Sequence, residues 1–121
     1  MDHHAAPGSL LRSFERHLRA QNRSERTVGN YLESARLAEA FLAARGKQLE
    51  EATQADLEDF LVDILRRRSA NTAAKRYKVL LVLYRWLEEE EELPNPMARM
   101  KWTSPREADT GAMRPWSMVV G

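Results

Sequence analysis

The sequence contains no cysteine. That excludes disulfides, thiolate metal sites and cysteine nucleophiles, and it suits a reducing compartment. No stretch approaches the roughly 20 apolar residues that a membrane-spanning helix requires. The opening residues, Met1-Asp2-His3-His4-Ala5-Ala6-Pro7-Gly8, have neither a basic start nor an apolar run and do not read as a secretory signal. There is no glycine-rich phosphate loop and no Ser/His/Asp arrangement in a familiar local setting. Nor is there an internal repeat, or a period-two strand pattern before residue 100; the one low-complexity run is Glu88–Glu92. These absences predict a soluble cytoplasmic protein with no membrane partner.

Catalytic chemistry is equally thin. His3 and His4 have only Asp2 at a workable spacing, so a mobile N-terminus over residues 1–8 accounts for them better than a metal site. His17 falls on the edge of the first helix, where it packs or is solvated. Asp and Glu fall on helical outer faces, where acid/base pairs are not desolvated and tuned. The expectation is no catalytic residue, no metal site and no cofactor.

What is present reads as one small domain. The chain has 121 residues, 43% hydrophobic and 31% charged, a globular balance with room for a single modest core. The formal net charge of +1 conceals a segregation. Charges between Lys47 and Asp63 are mainly acidic, from Glu50 through Asp56 to Asp63. Between Ile64 and Leu87 there is no acid at all, while Arg66, Arg67, Arg68, Lys75, Arg76, Lys78 and Arg85 are basic. Local charge sets the field that a partner meets, so this block matters more than the total.

Four helices account for the chain up to residue 96. The first starts at Ser9 as an N-cap and runs to Ala20, with Leu10, Leu11, Phe14 and Leu18 on one face. Ser24 caps the second, which runs from about Glu25 to Arg45 with Gly46 just beyond its end. Its buried stripe is Val28, Tyr31, Leu32, Ala35, Ala38 and Leu42, with Phe41 on the flank. Thr53 and Asp56 open the third as a variant capping box, and Leu57, Phe60, Leu61, Ile64 and Leu65 follow at helical spacing. Arg66 to Arg68 close it against the negative end of the dipole. The fourth begins near Ser69 to Thr72, points Ala74, Tyr77, Leu80, Leu81, Tyr84 and Leu87 inward, and stops before Leu93-Pro94-Asn95-Pro96. From Met97 onward the period is lost and a loosely packed tail is expected, with the domain ending at about residue 100 and the tail occupying 101–121.

Helical phase then gathers the basic residues. At 100° per residue, Arg68, Asn71, Lys75, Lys78, Val82 and Arg85 line one stripe of the fourth helix. Lysine and arginine there can pair with phosphates, and asparagine or arginine can reach base edges. Arg23, Ser24, Arg26, Thr27 and Asn30 cluster at the start of the second helix, where free amides and the dipole favour an anion. Ser24 also serves as the cap. Val79, Val82 and Trp86 are read as outward, which predicts that DNA, another domain or the tail covers this face.

The order of these features resembles the N-terminal core-binding domain of the tyrosine recombinases, the phage-integrase family. The matching stretches are Ser24-x-x-Thr27-x-x-x-Tyr31 with Leu37 and Phe41, then Thr53-x-x-Asp56-Leu57-x-x-Phe60-Leu61. After them come Asn71-Thr72-Ala73-Ala74-Lys75-Arg76 leading into Leu83-Tyr84-Arg85-Trp86-Leu87, and finally Asn95-Pro96. The resemblance covers about residues 9 to 100. It implies an all-α, compact four- to five-helix, SAM-like orthogonal bundle with an irregular C-terminal tail. It also implies that the second and fourth helices grip double-stranded DNA at a recombination half-site. Carried over, it points to Arg23, Arg26, Thr27 and Asn30, and to Asn71, Lys75 and Lys78 with Arg76.

The family's catalytic half, with its Arg, Lys, His-x-x-Arg and nucleophilic Tyr, is expected after Asn95-Pro96, where only a short segment follows. His17 is not in a His-x-x-Arg motif, and Tyr31, Tyr77 and Tyr84 fall on core stripes. Strand cleavage by this chain is therefore not expected, and the chain is one domain of a recombinase or a truncated relative. Two other readings compete. One is a helical protein-interaction module using Val79, Val82, Trp86, Trp102 and Trp116. The other is a free-standing regulator that occupies recombination sites against a full-length recombinase. Recombinase protomers are the protein partners these readings imply.

Overall fold

The computed structural model describes residues 9–101. Residues 1–8, with His3 and His4, and residues 102–121, with Trp102 and Trp116, lie outside the described residues. Four helices follow in order: α1 at Ser9–Ala20, α2 at Glu25–Ala43, α3 at Gln54–Arg67 and α4 at Ala70–Glu91. A single 3-10 turn, Leu49–Glu51, separates α2 from α3. The described residues contain no strand, and the fold is all-α. None of their helices is long and apolar enough to cross a membrane.

Local chemistry sets the helix ends. Ser24 Oγ accepts from the Thr27 amide at 3.1 Å, and Ser69 Oγ accepts from the Thr72 amide at the same distance. Each cap satisfies one of the amides that a helix start leaves without an intrahelical partner. Thr53 and Asp56 form a reciprocal capping box, with Asp56 N to Thr53 Oγ1 at 3.2 Å and Thr53 N to Asp56 Oδ2 at 2.9 Å. The α2 terminus is a Schellman closure. Gly46 sits at φ +75°, its amide donates to the Ala43 carbonyl, and the Lys47 amide donates to that of Leu42. The regular helix therefore ends two residues before Arg45, because residues 44–46 are turned into this closure.

The core is continuous through all four helices. Phe14, Leu18, Leu42, Leu57, Leu80, Leu83 and Leu87 are fully buried, and burying each such side chain stabilises the fold by about 1.5–3 kcal/mol. Leu49 from the 3-10 turn joins them, and the buried Tyr84 hydroxyl donates to its carbonyl oxygen at 2.7 Å.

Two expectations about packing are corrected. The buried residues of α4 are Ala73, Arg76, Val79, Leu80, Leu83, Tyr84, Trp86 and Leu87. Val79 and Trp86 are thus inside and Leu81 is exposed. The reason is that α4 packs against α2 and α3 at once, and Trp86 also reaches Phe14 of α1 with ring centroids 5.3 Å apart. The buried arc is then about 160° wide, and one stripe does not describe it. The second correction concerns Met97 and Met100, which are buried in the core. Asn95 bends the chain back after α4 by accepting the Met97 amide at 2.8 Å on its side-chain oxygen, while its Nδ2 donates to Glu88.

Candidate nucleic-acid interface

Alpha2 and α4 lie side by side, and both open on the same local pattern, Ser-x-x-Thr, with a cationic or amide side chain at the position before the threonine: Arg26 and Asn71. Between them runs a groove of about 320 Å³. Asn30 and Glu33 line it from α2, and Thr72, Lys75 and Lys78 line it from α4. Residues selected separately on two helices, Asn30 on one and Lys75 and Lys78 on the other, are thereby brought to one site. Arg26 stands one turn before Asn30 on the same face of α2 and is exposed.

The structure sorts the basic side chains by whether they already have acidic partners. Arg45 is bound to Asp56 and Asp59, Lys47 to Asp56, Arg67 to Asp63, Arg19 to Glu15 and Glu25, and Arg85 to Glu89. Among the described residues Arg26, Lys75 and Lys78 form no such ion pair and are exposed, as are Arg12, Arg16, Arg36, Arg66, Arg68, Arg99 and Lys101. Lys75 and Lys78 differ from these in lining the α2–α4 groove, with Arg26 one turn from Asn30. Arg26, Lys75 and Lys78 thus have no direct ion-pair partner, which leaves their charge available to a polyanion.

The remaining candidates are placed differently. Arg23 is half-buried. Its guanidinium lies 5.1 Å above the Tyr31 ring and its Nε donates to Gln21, so it holds the α1–α2 turn against α2. Thr27 Oγ1 accepts from the Ser24 hydroxyl at 3.0 Å, which occupies both residues in the cap. Asn71 is exposed in the first turn of α4. Arg68 lines a separate groove with Leu37 and Phe41 on the α2–α3 side.

Arg76 is a correction: it does not project outward with them but is a buried residue that lines the floor of the α2–α4 groove. It is 9% exposed, at the centre of the buried arc of α4 and about 160° around the helix from Lys78. Its Nη1 donates to the buried Ser34 Oγ at 2.8 Å, and its Nη2 lies 3.9 Å from Glu33. Charge had suggested an outward residue, but the helical phase leads inward, and α2 supplies a hydroxyl there. Ser34, a polar residue at the margin of the apolar stripe of α2, escaped selection. Its one signal was its place one turn before Ala38, beside that stripe.

The acidic side chains hold a similar exception. Asp56, expected on an outer face, is buried, and its carboxyl is held far below the usual carboxylate range. The Lys47 ammonium at 2.6 Å is the main cause, followed by the Thr53 amide, with Arg45 adding to it. Such a carboxylate is a fixed anion that ties the α2–α3 connection together. His17 packs beside Trp86, with centroids 5.7 Å apart. No group of three or more His, Asp or Glu among the described residues is placed to hold a metal ion.

A family model described as phage integrase, N-terminal SAM-like domain, matches residues 10–92. The chain belongs to this family. The match runs from the first apolar residue of α1 to the residue that caps α4, so all four helices except Ser9 fall within it. No curated protein and no solved structure matches the chain.

Proposed function

We propose that this integrase SAM-like domain is a duplex-DNA-holding module of a site-specific tyrosine recombinase, gripping a recombination half-site through α2 and α4. The observation that carries this reading is the groove where Asn30 meets Lys75 and Lys78, with Arg26 one turn away. Lysine and arginine without internal partners attract phosphates, and the amides of Asn30 and Asn71 suit base edges. Arg23, Ser24, Thr27 and Arg68 have supporting places, as braces and caps or on the flank of the grip. The domain holds DNA in the cytoplasm beside recombinase protomers, and strand cleavage belongs to other residues than those described.

The test is fluorescence anisotropy of a labelled duplex with the 121-residue chain across a salt series. Phosphate contacts make log Kobs fall with log salt by about 0.9 per contact, whereas an apolar interface does not weaken in this way. A well-folded chain that fails to bind duplex at low salt would overturn the proposal. The alternative of a protein-docking face loses two of its supports, since Val79 and Trp86 are core residues.

A further inference from the structure

Arg76 is under-compensated. Its Nη1 meets only a neutral hydroxyl, and Nε is the one buried side-chain polar atom without a hydrogen-bond partner among the described residues. Nη2 faces the Glu33 carboxylate at 3.9 Å, a separation too long for a hydrogen bond. A buried guanidinium so poorly matched is costly, and an oxyanion at hydrogen-bond distance would relieve that cost. Both residues line the α2–α4 groove, together with Lys75, Lys78 and Thr72. Glu33 is the acidic residue lining this otherwise basic cleft, and its side chain is 61% exposed, free to swing outward.

We infer that Glu33 is a resident stand-in for an oxyanion: its carboxylate guards the approach to Arg76 and gives way when a phosphate of the DNA backbone enters the groove. The inference rests on the DNA-holding reading and deepens it. Glu33 and the incoming phosphate carry like charge and compete for Arg76 Nη2, with Lys75 and Lys78 closing on the phosphate from α4. Glu33 thus subtracts from non-specific affinity. Only a duplex seated deeply enough to place a phosphate over Arg76 recovers that loss.

Two measurements test this on the full chain. In the first, the Arg76 Nε–H resonance is followed by NMR as inorganic phosphate replaces chloride at constant ionic strength. A saturable shift, reached at lower phosphate in Glu33→Gln, is expected. In the second, Glu33→Gln should tighten duplex binding about two- to fivefold, the range of a single exposed charge pair. Glu58→Gln, which removes the same charge from the outer face of α3, should change it less. An Arg76 resonance indifferent to phosphate, or equal effects of the two glutamate variants, would overturn the exchange. If Lys75→Glu leaves duplex binding intact or the chain binds no duplex, the DNA reading itself has failed. The phosphate titration then decides alone whether the groove seats an oxyanion.

Discussion

Arg76 Nη1 donates to Ser34 Oγ at 2.8 Å, a buried hydrogen bond that joins α2 to α4 across 42 positions of sequence. It links the two helices that form the groove, so the spacing between Asn30 and Lys75 depends on it. Ser34→Ala removes the acceptor and leaves a buried cationic donor without a partner. The expected loss of stability is about 1–3 kcal/mol, read from the urea midpoint at unchanged m. An unchanged midpoint would show that water or Glu33 replaces the hydroxyl.

The contact between the Tyr84 hydroxyl and the Leu49 carbonyl oxygen gives a second prediction. Tyr84→Phe keeps the ring and leaves the carbonyl with only the Ala52 amide at 3.3 Å, which should destabilise the domain by about 0.5–1.5 kcal/mol. Burial raises the pKa of this phenol above its ordinary value of 10.0, with the Glu50 and Asp56 charges adding to the shift. A raised folded-state pKa means that stability is complete below the unfolded value and is lost as pH climbs above it. Alkaline unfolding should therefore steepen above about pH 10 and be shallower in Tyr84→Phe, as followed by circular dichroism.

Asp56 works in the opposite sense. Its folded-state pKa is depressed, chiefly by Lys47, so its contribution is complete at neutral pH. That contribution diminishes as pH falls below the ordinary aspartate value of about 4. Asp56→Asn should cost about 2 kcal/mol at pH 7, a modest figure because Arg45 and Lys47 are each about a third exposed and screened by solvent. The difference between variant and parent should shrink in acid. A difference that is constant from pH 7 to pH 3 would assign the effect to packing.

On the proposed DNA surface, Lys75→Glu and Arg26→Glu should each weaken duplex binding and lower the salt slope by about one. Arg67→Glu, at a residue already paired with Asp63 on the α3 side, should leave the slope close to that of the parent. Equal effects at all three positions would indicate diffuse attraction to net charge and no defined grip.

Much of the fold was legible because its signals are local. Ser24, Thr53 and Ser69 cap their helices through contacts three residues away, and Gly46 takes the left-handed turn that only its own backbone needs. The apolar faces of α1 and α3, and that of α2 apart from the buried Ser34 at its margin, followed helical spacing. Alpha4 did not, because Val79 and Trp86 are covered by neighbours that a single-helix pattern cannot count. Met97 and Met100 were missed for the same reason: two isolated methionines carry no period, yet the Asn95 turn folds them onto the core.

For the candidate site, the amino-acid sequence alone determined which residues could matter: an acid-free basic segment on one helix and a polar, arginine-bearing first turn on another. The match over residues 10–92 places both within one integrase SAM-like domain. Tertiary structure decided which of them share a groove, which are already neutralised by partners, and that Arg76 faces inward to Ser34. Charge and helical phase are properties of a segment, whereas burial and ion pairing are properties of a pair of segments. They take definite values only once the helices are packed.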